Sequence, residues 1–454
     1  IQDGDRLYYL PRIEGLHFGG EIEANSFAEL IMQNTGTSHL SASIFLTPEY
    51  VVEAGTVTTD PSTWLRNAVT GALLVEKLDD GTVHFIGDDN FFGNTMVLGG
   101  TAGDDRLLAG QADDDTVWGD GGNDTLDGGN GNDFLFGGTG DDVIRDSAGD
   151  DVIHGDAGND NIDGGLGDDI IFGGDGNDLL HGGNSIVFGD EIQGGTGNDI
   201  IFGDEGDDAL IGNEGDDWIE GGIGGDGLVG DTGAPTGQIP LFAGNDVLDG
   251  GEMGDKMVGF SGDDIMLGEG GFDKFNGLLG FDWASFEKDG QGVSVDMTRR
   301  EFIPAQTATA GDAVRDFFVE TEAVSGSAFD DVLGGDNVGA RLPGAAPFVD
   351  TFNELVNVDL IFGLKDFFPV GPVAFSDGNI MLGGDGSDQI EGRGGNDIID
   401  GDAFLHVELT RDGNGEVFAG SQIVREIRYD QTAGDIDTAV FTGVAANCSI
   451  DFAP

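Results

Sequence analysis

Cysteine is nearly absent from this sequence, which contains only Cys448 among 454 residues. A single thiol cannot form a disulfide within the chain, so no internal disulfide framework holds the fold together. Any cross-link that stabilises the fold must therefore be of another kind.

Basic side chains are also scarce. The chain has 18 lysines and arginines against 87 aspartates and glutamates, which gives a formal net charge of −69 at pH 7. Such a surface repels nucleic acid and anionic membranes, so neither is expected as a partner. The sequence has no apolar run of the roughly 18 residues that a membrane-spanning helix needs, so no membrane span is predicted.

Motifs of catalysis are missing as well. Neither H-E-x-x-H, the zinc-protease motif, nor G-x-S-x-G, the hydrolase elbow, occurs in the sequence. Acidic pairs are so frequent that no single pair indicates general acid–base chemistry. No catalytic and no cofactor-binding residues are predicted in this chain. The histidines are scattered without metal-ligand spacing: His17, His39, His84, His154, His181 and His406.

Glycine, by contrast, is abundant at 84 residues, and an aspartate returns every nine residues through the first half of the chain. The frame is G-G-x-G-x-D-x-U-x with U aliphatic, as in residues 128–136 and 173–181. The first set of aspartates in phase is Asp115, Asp124, Asp133, Asp142, Asp151, Asp160, Asp169 and Asp178. Three later sets are Asp199, Asp208, Asp217 and Asp226; Asp246, Asp255, Asp264, Asp273 and Asp282; and Asp388 and Asp397.

Each position of the frame has a physical reason. Glycines at the first, second and fourth positions permit positive φ, so six residues are expected to form a turn and three a short strand. Two nonapeptides then close one coil. Because side chains alternate along a strand, the aliphatic position should point inward and stack as a ladder between two thin sheets. The predicted ladder is Val117, Leu126, Leu135, Ile144, Ile153, Ile162, Ile171 and Leu180.

Aspartates eighteen residues apart, such as Asp124 and Asp142, should then lie above one another with turn carbonyls beside them. Ca²⁺ takes about six to eight such oxygen ligands at ~2.3–2.6 Å. The frame resembles the RTX repeats of calcium-binding parallel β-helices. All the in-phase aspartates above are therefore predicted to bind Ca²⁺, with folding coupled to the metal. Eight repeats in phase disfavour the alternative of an acidic, glycine-rich linker without fixed structure.

The chain is expected to divide by composition and repeat. Residues 26–31 should form a short helix opened by a capping box of Ser26 and Glu29. The isolated pair of Asp388 and Asp397 lacks a same-edge partner two repeats away, so it should bind Ca²⁺ weakly or use ligands from elsewhere in the chain. The expected regions are a non-repeat segment, 1–57; a linker and hairpin, 58–98; a first roll, 99–232; a second roll, 243–286; an irregular β segment, 287–377; a short repeat pair, 378–402; and a non-repeat tail, 403–454.

One outward face of the first roll carries rings at eighteen-residue spacing: Trp118, Phe136, His154 and Phe172. We call this set the aromatic column. A stripe of this width is larger than a soluble monomer usually leaves exposed, so we expect it to be covered. The cover is either residues 1–98 or another part of the chain, or else a protein partner or second copy docked on Trp118, Phe136 and Phe172. We expect His154 to be a packed ring and His181 to be solvated.

Several non-repeat segments are similar to one kind of protein. Residues 3–10 (DGDRLYYL), 25–30 (NSFAEL) and 44–50 (IFLTPEY) resemble the closing segment of the animal-type haem peroxidase domain in large secreted bacterial peroxidases with RTX repeats. Further matches are residues 215–222, 280–284, 325–329, 390–395 and 422–427. The resemblance implies a parent haem peroxidase that is exported unfolded by a type I system and folded outside by calcium. Haem would then belong to an upstream domain, with no ligand role carried over to His17 or His39.

The sequence thus predicts an all-β fold of RTX parallel β-roll blocks joined by irregular β segments, with a short helical N-terminal remnant. Ile1 is no initiator, so the chain is expected to be a fragment of a secreted or cell-surface protein. The predicted role is a calcium-binding structural region of a secreted haem peroxidase. The alternative is a calcium-dependent adhesive or surface-matrix protein without enzymatic activity. Whether the parent is an active enzyme is left open.

Overall fold

A computed structural model of the chain falls into two compact units, Ile1–Leu210 and Ile211–Pro454. Before residue 98 it describes only the backbone of short strands. Leu355 and Phe375 are also described. The other described residues are 98–100, 102–109, 114–185, 189–231, 244–298, 316–336, 357–368, 378–395, 397–418, 420–429 and 436–440. The helix predicted at residues 26–31, with its capping box, lies outside the described residues.

The first unit is a parallel β-solenoid with two facing sheets. The order of the strands in one sheet is Ile44–Leu46, Met96–Gly99, Thr116–Gly121, Phe134–Thr139, Val152–Ala157, Ile170–Asp175 and Glu191–Thr196. The other sheet contains Val75–Lys77, Val83–Ile86, Asp105–Leu108, Thr125–Asp127, Val143–Arg145, Asn161–Leu166, Leu179–Asn184 and Ile200–Glu205. The segments predicted to form a hairpin, Val75–Lys77 and Val83–Ile86, pair antiparallel. A separate small pair consists of Gln2–Asp3 and Arg6–Leu7.

The register shows why nine residues is the period. Phe134 pairs with Val152, and Val143 pairs with Asn161, so each strand pairs with the strand eighteen residues later. Two nonapeptides therefore make one coil, as predicted. Every residue of the predicted aliphatic ladder from Val117 to Leu180 is fully buried. Burial of this ladder is the main hydrophobic contribution to the roll.

Two details differ from the sequence prediction. Several strands have six residues instead of three, because pairing resumes beyond the first glycine of the next repeat, as in Phe134–Thr139. Positive φ occurs at the second and fourth positions, as at Gly138 and Gly140, but the first-position Gly137 has no positive φ. Gly137 is required for another reason: a Cβ there would lie 2.8 Å from the Gly155 carbonyl oxygen, with Asp142 Oδ2 also inside 3.0 Å.

The second unit is also a parallel solenoid, in which larger side chains occupy the ladder, such as Met257, Met266 and Phe275. Its strands form three parallel sheets. The first contains Gly227–Val229, Lys256–Ser261, Lys274–Leu279 and Phe317–Val319. The second contains Trp218–Ile223, Val247–Glu252, Ile265–Leu267, Trp283–Ser285, Ala323–Ser325, Ile380–Leu382 and Ile398–Asp400. The third contains Ser294–Asp296, Val332–Gly334, Gln389–Glu391 and Thr438–Val440. The strand Ala209–Glu214 contains the residues at which the two units divide.

An antiparallel hairpin of Ala403–Leu409 and Ile423–Tyr429 packs within the second unit. Leu405 N–H donates to Ser325 Oγ at 3.0 Å, and Arg425 donates to the Asn245 carbonyl oxygen. The outward side chains of the second sheet beneath are buried, including Trp283, which is 1% exposed. The sheet is therefore buried on both faces here, which the repeat pattern alone did not predict.

An ion pair with one buried partner lies beside the same sheet. Lys288 Nζ contacts Asp249 and, at 2.9 Å, Glu269, and it lies 5.9 Å from the centroid of the Trp218 ring. The salt bridge compensates in part for the burial of Asp249, which is 1% exposed, and burial still raises the pKa of this carboxyl group to about 7. The 3₁₀ helix Leu364–Phe367 also belongs to this unit. No helix among the described residues has the length and apolarity needed to cross a membrane.

The all-β parallel β-roll that the sequence predicts is thus confirmed. The aromatic column is a stack of half-buried rings, with centroids 5.6 Å apart for Trp118 and Phe136, 5.1 Å for Phe136 and His154, and 4.7 Å for His154 and Phe172. Parallel in-register pairing explains the stack, because equivalent outward residues lie directly above one another. What covers this column remains a prediction.

Candidate metal centres

The aspartates of the repeat lie in columns along the roll. Asp124 N–H donates to Asp142 Oδ1 at 2.7 Å, and Asp142 N–H donates to Asp160 Oδ1 at 2.8 Å. The neighbouring column repeats this pattern from Asp133 to Asp151. Each aspartate is almost fully buried. One carboxylate oxygen of each residue therefore fixes the backbone of the coil before it, and the stacking that the sequence predicts is present.

The second carboxylate oxygen of these residues has a different environment. It is shielded from solvent and accepts no hydrogen bond in the described part of the chain. Such an atom is expensive to bury, because a desolvated carboxylate oxygen normally has a donor or a cation beside it. In the first unit the residues concerned are Asp124, Asp133, Asp142, Asp146, Asp151, Asp160, Asp169, Asp178 and Asp190.

These oxygens converge on the first-position glycines. A Cβ on Gly164 would lie 2.6 Å from Asp169 Oδ2 and 2.7 Å from the Gly182 carbonyl oxygen. A Cβ on Gly155 would likewise meet Asp160 Oδ2 and, at 2.6 Å, the Gly173 carbonyl oxygen. We call this space the glycine cradle. Each cradle thus brings a carboxylate oxygen of one coil and a carbonyl oxygen of the next to the same place.

Burial dominates the electrostatics of the columns. Desolvation raises the pKa of Asp142 from 3.8 to about 7, with the Asp124 N–H opposing the shift and Asp160 adding to it. Desolvation likewise raises the pKa of Asp133 to about 7 and that of Asp124 to about 9. Neighbouring carboxylates cannot all carry a charge in such surroundings without a compensating cation. Burial therefore favours the protonated form of these carboxyl groups when no metal is bound, and a divalent cation would replace the protons.

Asp190 belongs to a column although the sequence prediction omitted it. Asp169 N–H donates to Asp190 Oδ1 at 2.7 Å, and Asp190 N–H donates to Asp208 Oδ1 at 2.7 Å. The insertion before Asp190 shifts the phase by three residues, so a strict nine-residue count passes over it. Its own local pattern of Asp, aliphatic Ile192 and Gly194 is intact and would have identified it.

The second unit contains aspartate columns of the same kind, and some of their members are separated by long loops. Asp246 N–H donates to Asp264 Oδ1 at 2.9 Å, and Asp264 N–H donates to Asp282 Oδ1 at 3.0 Å. Asp282 N–H then donates to Glu322 Oε2 at 3.0 Å, so a glutamate takes the place of the next aspartate. In the adjacent column Asp273 N–H donates to Asp316 Oδ1 at 3.1 Å.

Asp388 has no partner two repeats away in sequence, as expected, but it has same-edge partners elsewhere in the chain. Asp331 N–H donates to Asp388 Oδ1 at 2.8 Å, and Asp388 N–H donates to Asp437 Oδ1 at 3.1 Å. These partners are 57 and 49 residues away in sequence, because loops between them replace whole repeats. Asp397 has a different neighbour, since it accepts a hydrogen bond from Asn379 N–H at 2.9 Å. Asn379 thus occupies the position in this column that an aspartate occupies in the others.

The donor set of the cradles suits a hard cation. Each cradle offers carboxylate and main-chain carbonyl oxygens in a turn closed by glycine. Ca²⁺ prefers such oxygens and tolerates irregular geometry, whereas Mg²⁺ demands a near-ideal octahedron and retains its water. The residues present therefore fit Ca²⁺.

The described histidines serve packing. His154 is half-buried between Phe136 and Phe172, and burial lowers its pKa. The side chain of His181 is 36% exposed to solvent, as expected, and its ring also stacks on Phe202 with centroids 4.7 Å apart. His406 Nδ1 bonds to Glu287 Oε1 at 2.5 Å and joins the hairpin to the solenoid.

A family model described as the RTX calcium-binding nonapeptide repeat, in four copies, matches several parts of the chain. The matched residues are 99–135, 136–171, 158–185, 188–219, 202–236, 242–280 and 373–404. The chain therefore carries RTX calcium-binding nonapeptide repeats. A search of curated proteins finds no match for the chain.

Proposed function

We propose that the RTX calcium-binding nonapeptide repeats of this chain bind Ca²⁺ between successive coils and that this binding drives the folding of both units. The ligands include the in-phase aspartates predicted from the sequence. Asp190, Asp316, Asp331 and Asp437 extend the same columns through the loops. The chain itself then acts as a structural region and not as the catalytic part of a protein.

One observation carries this proposal above the others. A buried carboxylate oxygen without a hydrogen bond faces a main-chain carbonyl oxygen at the same place in coil after coil. Two oxygens repel each other unless a cation lies between them. Ca²⁺ removes both the desolvation penalty of the carboxylate and the repulsion between acidic columns, whose residues contribute to a formal charge of −69.

The same arrangement makes folding cooperative. A single nonapeptide buries its aliphatic side chain only when another coil lies above or below it. The first pair of coils creates a cradle, bound metal fixes the pair, and each further coil adds to a surface that is already formed. Calcium binding and folding are therefore one equilibrium.

The proposal is tested by counting bound metal in a matched pair of variants. Asp160 is fully buried in a column, whereas Asp163 is exposed on a sheet face, and both Asp160→Asn and Asp163→Asn remove one negative charge. After dialysis against buffered Ca²⁺, elemental analysis should find fewer ions in Asp160→Asn and the wild-type number in Asp163→Asn. Equal loss in the two variants, or no bound calcium in the wild type, would refute the assignment of the columns.

We further propose that the region is exported unfolded by a type I system and folds outside the cell as part of a secreted haem peroxidase. Support comes from the non-repeat segments, such as residues 3–10 and 44–50. Further support is that free calcium in the cytoplasm lies below the dissociation constants of sensor-type sites, so the repeats would stay unfolded until export. The reading frame that encodes the full protein should then contain an animal-type peroxidase domain upstream of Ile1. An unrelated domain there would refute the peroxidase parent and leave the calcium proposal unaffected.

The aromatic column supports a second candidate function, that of a calcium-dependent adhesive or surface-matrix protein. Stacked, half-buried rings of Trp118, Phe136 and Phe172 would provide a surface on which copies associate. Light scattering at low and high calcium distinguishes the two functions. A mass that increases with calcium and returns to the monomer value in Phe136→Ser/Phe172→Ser favours assembly, whereas a constant mass excludes it.

A further inference from the structure

One repeat of the first unit departs from the frame at its first position. Residue 146 is aspartate where the neighbouring repeats have Gly137 and Gly155. Asp146 is 8% exposed, so the substitution buries a carboxyl group within the roll. A buried acid in place of a glycine is costly unless another group compensates it.

The position of the extra carboxylate is specific. A Cβ on Gly128 would lie 2.5 Å from Asp146 Oδ2 and 2.6 Å from Asp133 Oδ2. In the regular cradle at Gly164, the corresponding neighbours are Asp169 Oδ2 and the carbonyl oxygen of Gly182. A side-chain carboxyl oxygen therefore occupies the place that a main-chain carbonyl oxygen occupies in a regular cradle.

Asp151 completes the group. One ligand oxygen each from Asp133, Asp146 and Asp151 lies within 4.8 Å of the other two, and all three residues are buried. Asp146 Oδ1 accepts the Ser147 N–H at 2.7 Å, but the Oδ2 atoms of all three residues accept no hydrogen bond. Three buried carboxyl groups, each with one oxygen that lacks a hydrogen-bond partner, thus lie within reach of one cation.

From this geometry we propose that Asp133, Asp146 and Asp151 form a distinct, high-affinity cation site that fills with Ca²⁺ before the regular cradles. This inference rests on the proposed calcium-binding function and goes beyond it by ranking the sites. The affinity of oxygen-ligand sites for Ca²⁺ rises with the number of charged ligands and with rigidity. At this site Asp146 supplies a carboxyl oxygen in place of the carbonyl oxygen of a regular cradle, and Asp151 adds a third carboxyl group. The three residues adjoin the strands Phe134–Thr139, Val143–Arg145 and Val152–Ala157.

The rival explanation is a shared proton. One carboxyl group of the three would then be neutral and would donate a hydrogen bond to another, with no metal required. Asp146→Asn separates the two explanations, because the amide imitates a neutral carboxyl in shape and donor capacity. Asp146→Gly provides a second variant that should fold normally, because glycine is the residue that the neighbouring repeats have at this position.

The experiment is a calcium titration of the full chain in competition with a chromophoric chelator. The wild type should show about one ion bound at least about tenfold more tightly than the rest. Asp146→Gly and Asp146→Asn should both lose that ion while the weaker sites remain, and the exposed control Asp163→Asn should retain it. Circular dichroism at saturating calcium verifies that each variant forms the roll.

The outcomes separate this inference from the proposed function. Calcium binding by the wild type with no tight class, or with a tight class that survives both Asp146 substitutions, overturns the site and leaves the regular cradles in place. Absence of calcium binding by the wild type overturns both proposals together. Loss of the tight ion in Asp163→Asn as well would show an effect of net charge and would also overturn the site.

Discussion

Replacing Asp142 by asparagine should stabilise the folded roll in the absence of calcium and weaken its calcium-driven folding. Asp142 Oδ1 accepts the Asp124 N–H at 2.7 Å, while its Oδ2 is buried without a hydrogen bond. Asparagine retains the acceptor oxygen and removes only the charge. The variant should therefore keep the backbone contact between the coils while it loses the carboxylate that we assign to the cation.

The pKa of Asp142 determines how much the substitution changes the free energy of folding when no metal is bound. Burial raises this pKa from 3.8 to about 7. At pH 8 the ionised group then destabilises the folded state by about 4 kcal/mol at the most, because each pKa unit corresponds to about 1.4 kcal/mol. Asp142→Asn removes that penalty, so it should favour β structure in chelator. With calcium it loses a charged ligand, and the calcium midpoint should rise several-fold.

The assay is far-ultraviolet circular dichroism at pH 8. In chelator, sucrose is added to shift the equilibrium toward the compact state, and the sucrose midpoint is compared between variants. Asp142→Asn should need less sucrose than the wild type. Asp142→Ala should need more sucrose than Asp142→Asn, because it leaves the Asp124 N–H without its acceptor at a cost of about 1–3 kcal/mol. Asp163→Asn is the charge-matched control. An asparagine variant that needs more sucrose, or that keeps the wild-type calcium midpoint, would contradict the reasoning.

Three further predictions follow from the same geometry. Gly137→Ala places a methyl group against Asp142 Oδ2 and the Gly155 carbonyl oxygen and should weaken calcium binding more than tenfold by isothermal titration, while the exposed Thr139→Ala should not. Ile153→Ala, in the fully buried ladder, should lower the stability of the calcium-loaded roll by about 2–5 kcal/mol in urea unfolding, and a change under 1 kcal/mol would refute its core position. In chelator, β structure should increase as pH falls from about 7 toward 4, because the raised pKa of Asp142 stabilises the protonated folded state and that stability is lost as pH rises through about 7. With calcium the dependence should reverse, and a pH profile that is flat in chelator would argue against proton-holding columns.

The period of the repeat was sufficient to predict the solenoid. Glycine spacing, the aliphatic position and the eighteen-residue coil are local properties of the sequence, and the burial of Ile153 and its neighbours follows directly from them. The role of the first glycine was not predictable in this way. Its requirement arises from the next coil, whose carbonyl oxygen approaches the Cα of Gly137, and only the assembled structure shows that contact.

The columns beyond residue 287 show where the sequence pattern becomes insufficient. Asp331, Asp388 and Asp437 lie in one column although loops of unequal length separate them. A search for a fixed period fails there, because the coils still stack on one another while the number of residues between successive strands varies. The shorter pattern of an acid followed two residues later by an aliphatic side chain persists at Asp331 and Leu333 and would have identified Asp331.

The most direct test of the central claim is a calcium titration followed by far-ultraviolet circular dichroism, with magnesium as the control cation. We predict a cooperative change from coil to β structure that occurs with Ca²⁺ and not with the same concentration of Mg²⁺. Full β structure in chelator at pH 8, unchanged by added calcium, would contradict the claim, because the aliphatic ladder alone would then fold the chain.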